Sequence, residues 1–166
     1  DHLYTSDSGV PCAKQLIQAY QRCGHRSTVG LYVASLADVP YYGTMSGDWT
    51  GEDAALLELS ELAEKPSQEY AAQNLTTPGL GQDEFLCAFG QYVLTPQVFE
   101  HISREIDADA REAGEFQLTT ALESLRRREG VFGYLVAGRR YDTGLPLPYV
   151  RALNAYCGRE EAGHKR

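Results

Sequence analysis

A chain of 166 residues, 43% of them hydrophobic, is long enough to bury one core and falls in the size range of a single domain. Its 15 basic against 23 acidic residues leave a formal net charge of -8, which argues against a surface built to neutralise nucleic acid but leaves room for a small phosphorylated ligand held by one or two lysines. No apolar run approaches the roughly 20 residues of a membrane span, no charged-then-apolar leader opens the chain, and Cys12, Cys23, Cys87 and Cys157 form no C-x-x-C pair, so a cytoplasmic protein with ordinary thiols and no zinc or redox motif is expected.

Asp1-His2-Leu3-Tyr4 opens the chain without methionine and on a polar turn, which reads as a cut through a larger gene product. From Pro11 to Cys23, Ala13, Leu16, Ile17 and Tyr20 recur at helical spacing, with Gly24 where a C-terminal cap belongs. Thr28 to Ala34 fits a buried strand, Tyr41-Tyr42-Gly43-Thr44 leads into a second extended stretch, and Leu56 to Ala63 is a third that Pro66 would stop. Glu64 and Lys65 therefore stand at a strand end. Ser67 to Asp83, with Pro78, Gly79 and Gly81, reads as a loop or lid, and Phe85 to Leu94 as another strand.

Thr95-Pro96 has the form of a threonine cap with proline at the first helical position, and Val98, Phe99, Ile102 and Ile106 supply a buried stripe. Gln117 to Arg128 repeats the pattern with Leu118, Ala121, Leu122 and Leu125, its arginines lie near the negative end of the helix dipole, and Gly130 ends it. Val131 to Val136 follows as a strand, Gly138 to Gly144 as a tight connection, and Leu147 to Tyr156 as a last helix. Residues 158–166 form a basic, polar tail of the flexible kind common at termini. Strands alternating with helices predict an α/β fold with a mixed, mostly parallel sheet flanked by helices, in which ligands collect at the carboxyl ends of strands.

Three polar groups occupy strand ends or tight turns: Asp1 with His2, Glu64-Lys65-Pro66, and Asp142 within Tyr-Asp-Thr-Gly. Singly, each has an ordinary explanation. An aspartate before Thr-Gly commonly bonds nearby backbone, and an adjacent Glu-Lys pair is commonly a solvated ion pair.

In order, however, Glu64-Lys65-Pro66, Phe89-Gly90-Gln91-Tyr92-Val93-Leu94-Thr95-Pro96, Gly114-Glu115-Phe116-Gln117-Leu118-Thr119 and Arg140-Tyr141-Asp142-Thr143-Gly144 resemble the segments of bacterial UTP–glucose-1-phosphate uridylyltransferases, sugar-nucleotide pyrophosphorylases of the nucleotidyltransferase class. The resemblance covers residues 1–157 and implies the C-terminal part of a Rossmann-like nucleotidyltransferase domain, truncated at its N-terminus. It implies that Asp1 and Asp142 hold a catalytic Mg2+, a hard cation that takes one or two protein carboxylates and leaves its other positions to phosphate and water. It also implies that Glu64 accepts hydrogen bonds from glucose hydroxyls, that Lys65 pairs with the sugar phosphate and acts with the two aspartates in catalysis, and that Gly43 lies against the sugar. Gly90 and Tyr92 would help shape the same pocket, or serve as a strand glycine and a packed aromatic; Glu115 and Gln117 are supporting polar groups or a helix cap.

The implied substrates are UTP and glucose 1-phosphate, giving UDP-glucose and pyrophosphate, in a full-length protein that is a homo-oligomer and binds neither nucleic acid nor membrane. Thr120 stands where the family often has Asp, Gln91 where Arg is common, and Pro146 near a position where lysine is usual. The family's Gly-rich nucleotide loop belongs far upstream of Asp1, so the isolated chain is expected to bind UTP poorly and to turn over negligibly. A dTTP-using pyrophosphorylase and a non-catalytic sugar-phosphate-binding module are the competing expectations.

Overall fold

The computed structural model describes residues 2–51, 53–111, 114–144 and 146–163, with side chains to residue 158. The chain divides into two compact units, residues 13–136 and the pairing of residues 1–12 with 137–166.

The larger unit begins with helix α1 (Cys12–Arg22), whose buried face carries Leu16 and Ala19. Its end is closed by a bond from the His25 amide to the Tyr20 carbonyl at 2.9 Å across Gly24, at φ 71°, the left-handed cap expected there. Strands β2 (Thr28–Ser35), β3 (Thr44–Trp49), β4 (Leu56–Ala63), β5 (Glu84–Val93) and β6 (Phe132–Leu135) close into a barrel of order β2-β5-β3-β4-β6. Its core joins Val29, Leu31, Met45, Leu57, Leu59 and Leu86 to Val98 of α3 (Gln97–Asp107) and Leu122 and Leu125 of α4 (Leu118–Glu129). A second cluster, with Val39, Phe85 and Cys87, lies under α2 (Gln68–Asn74) through Ala71 and Leu75.

The fold is α/β, but the mostly parallel Rossmann-like sheet expected from sequence is not what these strands form. Among the described strands β2–β6 is parallel, and the remaining ladders are antiparallel. Parallel neighbours need a crossover of a dozen residues or more, which the short link 50–55 between β3 and β4 cannot supply. The helical connections join strands that are not neighbours: α2 links β4 to β5, which flank β3, and α3 with α4 links β5 to β6.

Other local expectations also change. The segment read as a loop or lid contains α2, capped by Ser67, whose Oγ accepts from the Tyr70 amide at 3.1 Å. Thr95 does not cap α3: its amide donates to Ser27 Oγ at 2.9 Å, and its hydroxyl lies 3.1 Å from the same oxygen. The buried side chains of α3 are Val98 and His101, whereas Phe99 and Ile106 are exposed.

In the smaller unit, β1 (His2–Ser6) pairs antiparallel with β7 (Gly138–Asp142), the segment read as a tight connection. Helix α5 (Pro146–Gly163) covers the pair, with Ala152 fully buried and the Tyr156 hydroxyl donating to the Tyr4 carbonyl at 2.5 Å. The helix thus takes in residues 158–163 of the expected tail. Cys12, Cys23 and Cys87 are buried free thiols and Cys157 is exposed.

Candidate functional site

The β4 strand ends at Ala63, as the proline at 66 requires. The backbone then turns at Lys65, whose φ of 42° lies in the left-handed region that a residue bearing a Cβ rarely adopts. Backbone of this kind costs on the order of 1–3 kcal/mol and clusters at functional sites. The turn leaves the Glu64 side chain 17% exposed and that of Lys65 56% exposed, with Lys65 Nζ 3.6 Å from Glu64 Oε1.

Gly43 immediately precedes β3, the neighbour of β4 in the barrel. A Cβ built there would stand 3.2 Å from Glu64 Oε2 and 3.2 Å from Thr119 Oγ1. Thr119, near the start of α4, donates its hydroxyl to Glu64 Oε2 at 2.6 Å. Gly43, the adjacent pair Glu64-Lys65, and Thr119, three places distant from one another in sequence, are thus brought together by the fold. Sequence reasoning noticed Thr119 only inside the Gln-Leu-Thr match. Its one independent signal was a hydroxyl residue at position 119, three before Leu122 on the buried face of α4.

Of these, Glu64 and Thr119 border a cavity of about 500 Å³ lined also by Pro66, Ser67, Tyr70, Thr120 and Glu123, whereas Gly43 and Lys65 are not among its lining residues. Glu123 accepts from the Leu62 amide at 3.2 Å, from Arg126 through both carboxylate oxygens at 2.8 Å, and from Arg127 at 2.8 Å. Burial alone would raise its pKa, but the guanidinium hydrogen bonds outweigh that and hold the carboxyl below the usual glutamate value. The Tyr70 hydroxyl donates to Glu61, and that bond to a carboxylate raises its pKa. An oriented carboxylate with a largely exposed ammonium 3.6 Å from it suits a small polyhydroxylated anion.

Gly90 takes φ 93° in a bulge of β5, where Val29 pairs with Tyr92 and Leu31 with Ala88. Tyr92 packs against the barrel core and, with Leu16, Ile17 and Gln91, lines a separate groove. Neither residue is among the described residues that line the Glu64 cavity. Gln117 sits at the N-cap position of α4 without a side-chain cap bond, and its amide lies 3.5 Å from Glu115 Oε2. A larger groove of about 700 Å³ contains Arg22, Arg26, Trp49 and Phe132. Its cations are already engaged, Arg22 with Asp53 at 2.8 Å and Arg26 with Glu58 at 3.6 Å and the Phe132 ring at 4.2 Å, so volume is a poor guide to the site here.

In the smaller unit Asp142 closes β7 opposite His2, and its Oδ1 accepts from the Gly144 amide at 2.7 Å, the turn bond its sequence context suggested. Burial, followed by repulsion from Arg140, lowers the His2 pKa despite the opposing pull of Asp142. Asp1 lies outside the described residues. Among the described residues no group of three or more His, Cys, Asp or Glu could hold a metal. A single hard carboxylate at Asp142 still fits magnesium, which commonly takes one or two such ligands. Among the described residues no helix is long and apolar enough to cross a membrane.

No family model matches the chain. Curated relatives do: a UTP–glucose-1-phosphate uridylyltransferase 2 of Staphylococcus saprophyticus is 33% identical over 99% of this chain and 50% of its own length. Among solved structures, apo-UDP-glucose pyrophosphorylase superposes with a TM-score of 0.78 at 29% identity over 96% of this chain and 52% of that one. A UDP-glucose pyrophosphorylase complexed with UDP-glucose gives 0.77 at 30% identity over 95% and 53%. The chain spans about half the length of the curated relatives it matches.

Proposed function

We propose that the native gene product carrying this chain transfers a uridylyl group from UTP to glucose 1-phosphate, releasing pyrophosphate and UDP-glucose, and that residues 1–157 contribute its sugar-phosphate and metal-binding part. The observation that carries the reading is the meeting of Gly43, Glu64, Lys65 and Thr119 around one carboxylate. Similarity to uridylyltransferases along nearly the whole chain supports the same chemistry.

In this reading Glu64 accepts hydrogen bonds from glucose hydroxyls, and Gly43, bare of side chain, lets the ring approach the backbone. Lys65, largely exposed at its turn, pairs with the sugar phosphate and holds it for attack on the α-phosphorus of UTP. The nucleophile is already an anion, so none of the four histidines is needed as a base. Gly90 and Tyr92 belong to the barrel wall, as the strand glycine and packed aromatic of the alternative reading. Magnesium, bound by Asp1 and Asp142, would supply charge neutralisation at the phosphates. A cytoplasmic homo-oligomer that binds no nucleic acid completes the proposal, and the acidic balance of the chain supports the last point.

The test is pyrophosphate release by the native gene product with magnesium and glucose 1-phosphate, comparing UTP with dTTP. Turnover with UTP is expected. Preference for dTTP would reassign the nucleotide, and ligand binding without turnover or metal dependence would replace the enzyme by a sugar-phosphate-binding module.

A further inference from the structure

We infer that Thr119 is a positioning residue for Glu64, held at the correct depth by an anchor one helical turn further along α4, at Glu123. The inference rests on the reading of Glu64 as the acceptor of sugar hydroxyls.

Four observations carry it. Thr119 is 9% exposed, and its single hydroxyl proton is committed to Glu64 Oε2 at 2.6 Å, the length of a charge-assisted bond. Lys65 Nζ stands 3.6 Å from the other oxygen, so the carboxylate is steadied from both sides while lone pairs remain for a ligand. Glu123 reaches the same strand end: it accepts the Leu62 amide at 3.2 Å, and Leu62 precedes Glu64 by two residues. The spacing is commensurate, since four residues of helix rise about 6 Å and two residues of strand about 6.6 Å, so positions 119 and 123 fall in register with 64 and 62.

Glu123 cannot easily drift, because Arg126 grips it through both oxygens at 2.8 Å and Arg127 adds a bond at 2.8 Å. The helix is thus fastened to the end of β4 by a carboxylate already committed to Arg126, Arg127 and the Leu62 amide, and this sets where the Thr119 hydroxyl meets Glu64. Gly43 leaves the space that the pair occupies, since a Cβ there would press on both partners at 3.2 Å. The arrangement assigns Thr119 to selectivity for the sugar, acting through the orientation of Glu64.

The experiment is a double-mutant cycle in the native gene product, reading KM separately for glucose 1-phosphate and for UTP. Thr119→Val keeps the volume and removes the donor; losing a hydrogen bond to a charged group corresponds to about a tenfold rise in KM for glucose 1-phosphate. The KM for UTP is expected to stay within about twofold of wild type, and Thr119→Ser, which retains the hydroxyl, to recover most of the loss, whereas general damage to the fold would not sort in this way. Thr119→Ala serves if the valine variant does not fold, with the same expected split. Adding Thr119→Val to Glu64→Gln is expected to cost little beyond Glu64→Gln alone. A wild-type KM for glucose 1-phosphate in both the valine and alanine variants, or fully multiplicative effects of Thr119→Val and Glu64→Gln, would overturn the positioning role while leaving the role of Glu64 intact. Failure of the wild type to use glucose 1-phosphate, or indifference to Glu64→Gln, would overturn the functional reading and this inference with it.

Discussion

Replacing Gly43 with alanine probes the site with one methyl group. Its backbone lies outside the positive-φ region, so the substitution strains no dihedral and acts through contact alone. The new Cβ would stand 3.2 Å from Glu64 Oε2, 3.2 Å from Thr119 Oγ1 and 3.9 Å from Ala88 Cβ. Carbon and its non-bonded neighbours prefer about 3.5–4.0 Å, so the Glu64–Thr119 pair must retreat by a few tenths of an ångström. Overpacking of this sort costs on the order of 1 kcal/mol, which for a protein of this size lowers the melting temperature by about 2–4 °C. Affinity should suffer more, because the retreat turns the Glu64 carboxylate out of its alignment with the ligand. Losing one hydrogen bond to that carboxylate, worth about 1.5–3 kcal/mol, weakens glucose 1-phosphate binding by roughly 10- to 100-fold. Calorimetric titration of the native gene product with glucose 1-phosphate, beside a thermal melt, checks both numbers. Unchanged affinity with the small loss of melting temperature would refute the placement of the sugar against Gly43.

Lys65→Gly relieves a backbone held at φ 42° and removes an ion pair too exposed to add much stability, so the melting temperature is expected to stay level or rise while glucose 1-phosphate affinity falls at least about tenfold. Thermal melts across pH test Glu123: its folded pKa lies below the ordinary 4.5, so its contribution is present above that value and is lost as pH falls through the folded value. Glu123→Gln is expected to lower stability at neutral pH and to flatten this acid limb; an unaltered limb would contradict the role of Arg126 and Arg127. Asp142→Asn keeps an oxygen for the Gly144 amide, so the fold should persist while the magnesium concentration needed for half-maximal turnover rises by tenfold or more, on the order expected for loss of a metal ligand.

Local structure was legible for most of the longer elements, but not for α2, whose buried residues Ala71 and Leu75 leave only a weak period in a polar segment. The helical spacing of Ala13, Leu16, Ile17 and Tyr20, the proline at 66 and the glycines at 24 and 130 set element ends that the structure reproduces closely, although α1 buries Leu16 and Ala19 and leaves Ile17 exposed. Strand order was not legible, because pairing of β2 with both β5 and β6 is decided by contacts between distant residues that leave no local period. The β7 strand escaped notice for a related reason: Arg139, Arg140 and Tyr141 lack an apolar alternation, and their ladder is completed only by Thr5, Tyr4 and Leu3. On α3 the apolar residues outnumber the buried positions, so composition alone placed Phe99 and Ile106 on the wrong side. The candidate site was readable as four ordered segments resembling one family, whereas the bond that joins two of them, Thr119 to Glu64, required the fold.

A structure of the native gene product with glucose 1-phosphate bound tests the site assignment most directly. The sugar hydroxyls should bond Glu64 with the ring against Gly43, and a phosphate oxygen should lie about 3 Å from Lys65 Nζ. A phosphate seated between Arg22 and Arg26, with Glu64 and Lys65 untouched, would contradict it.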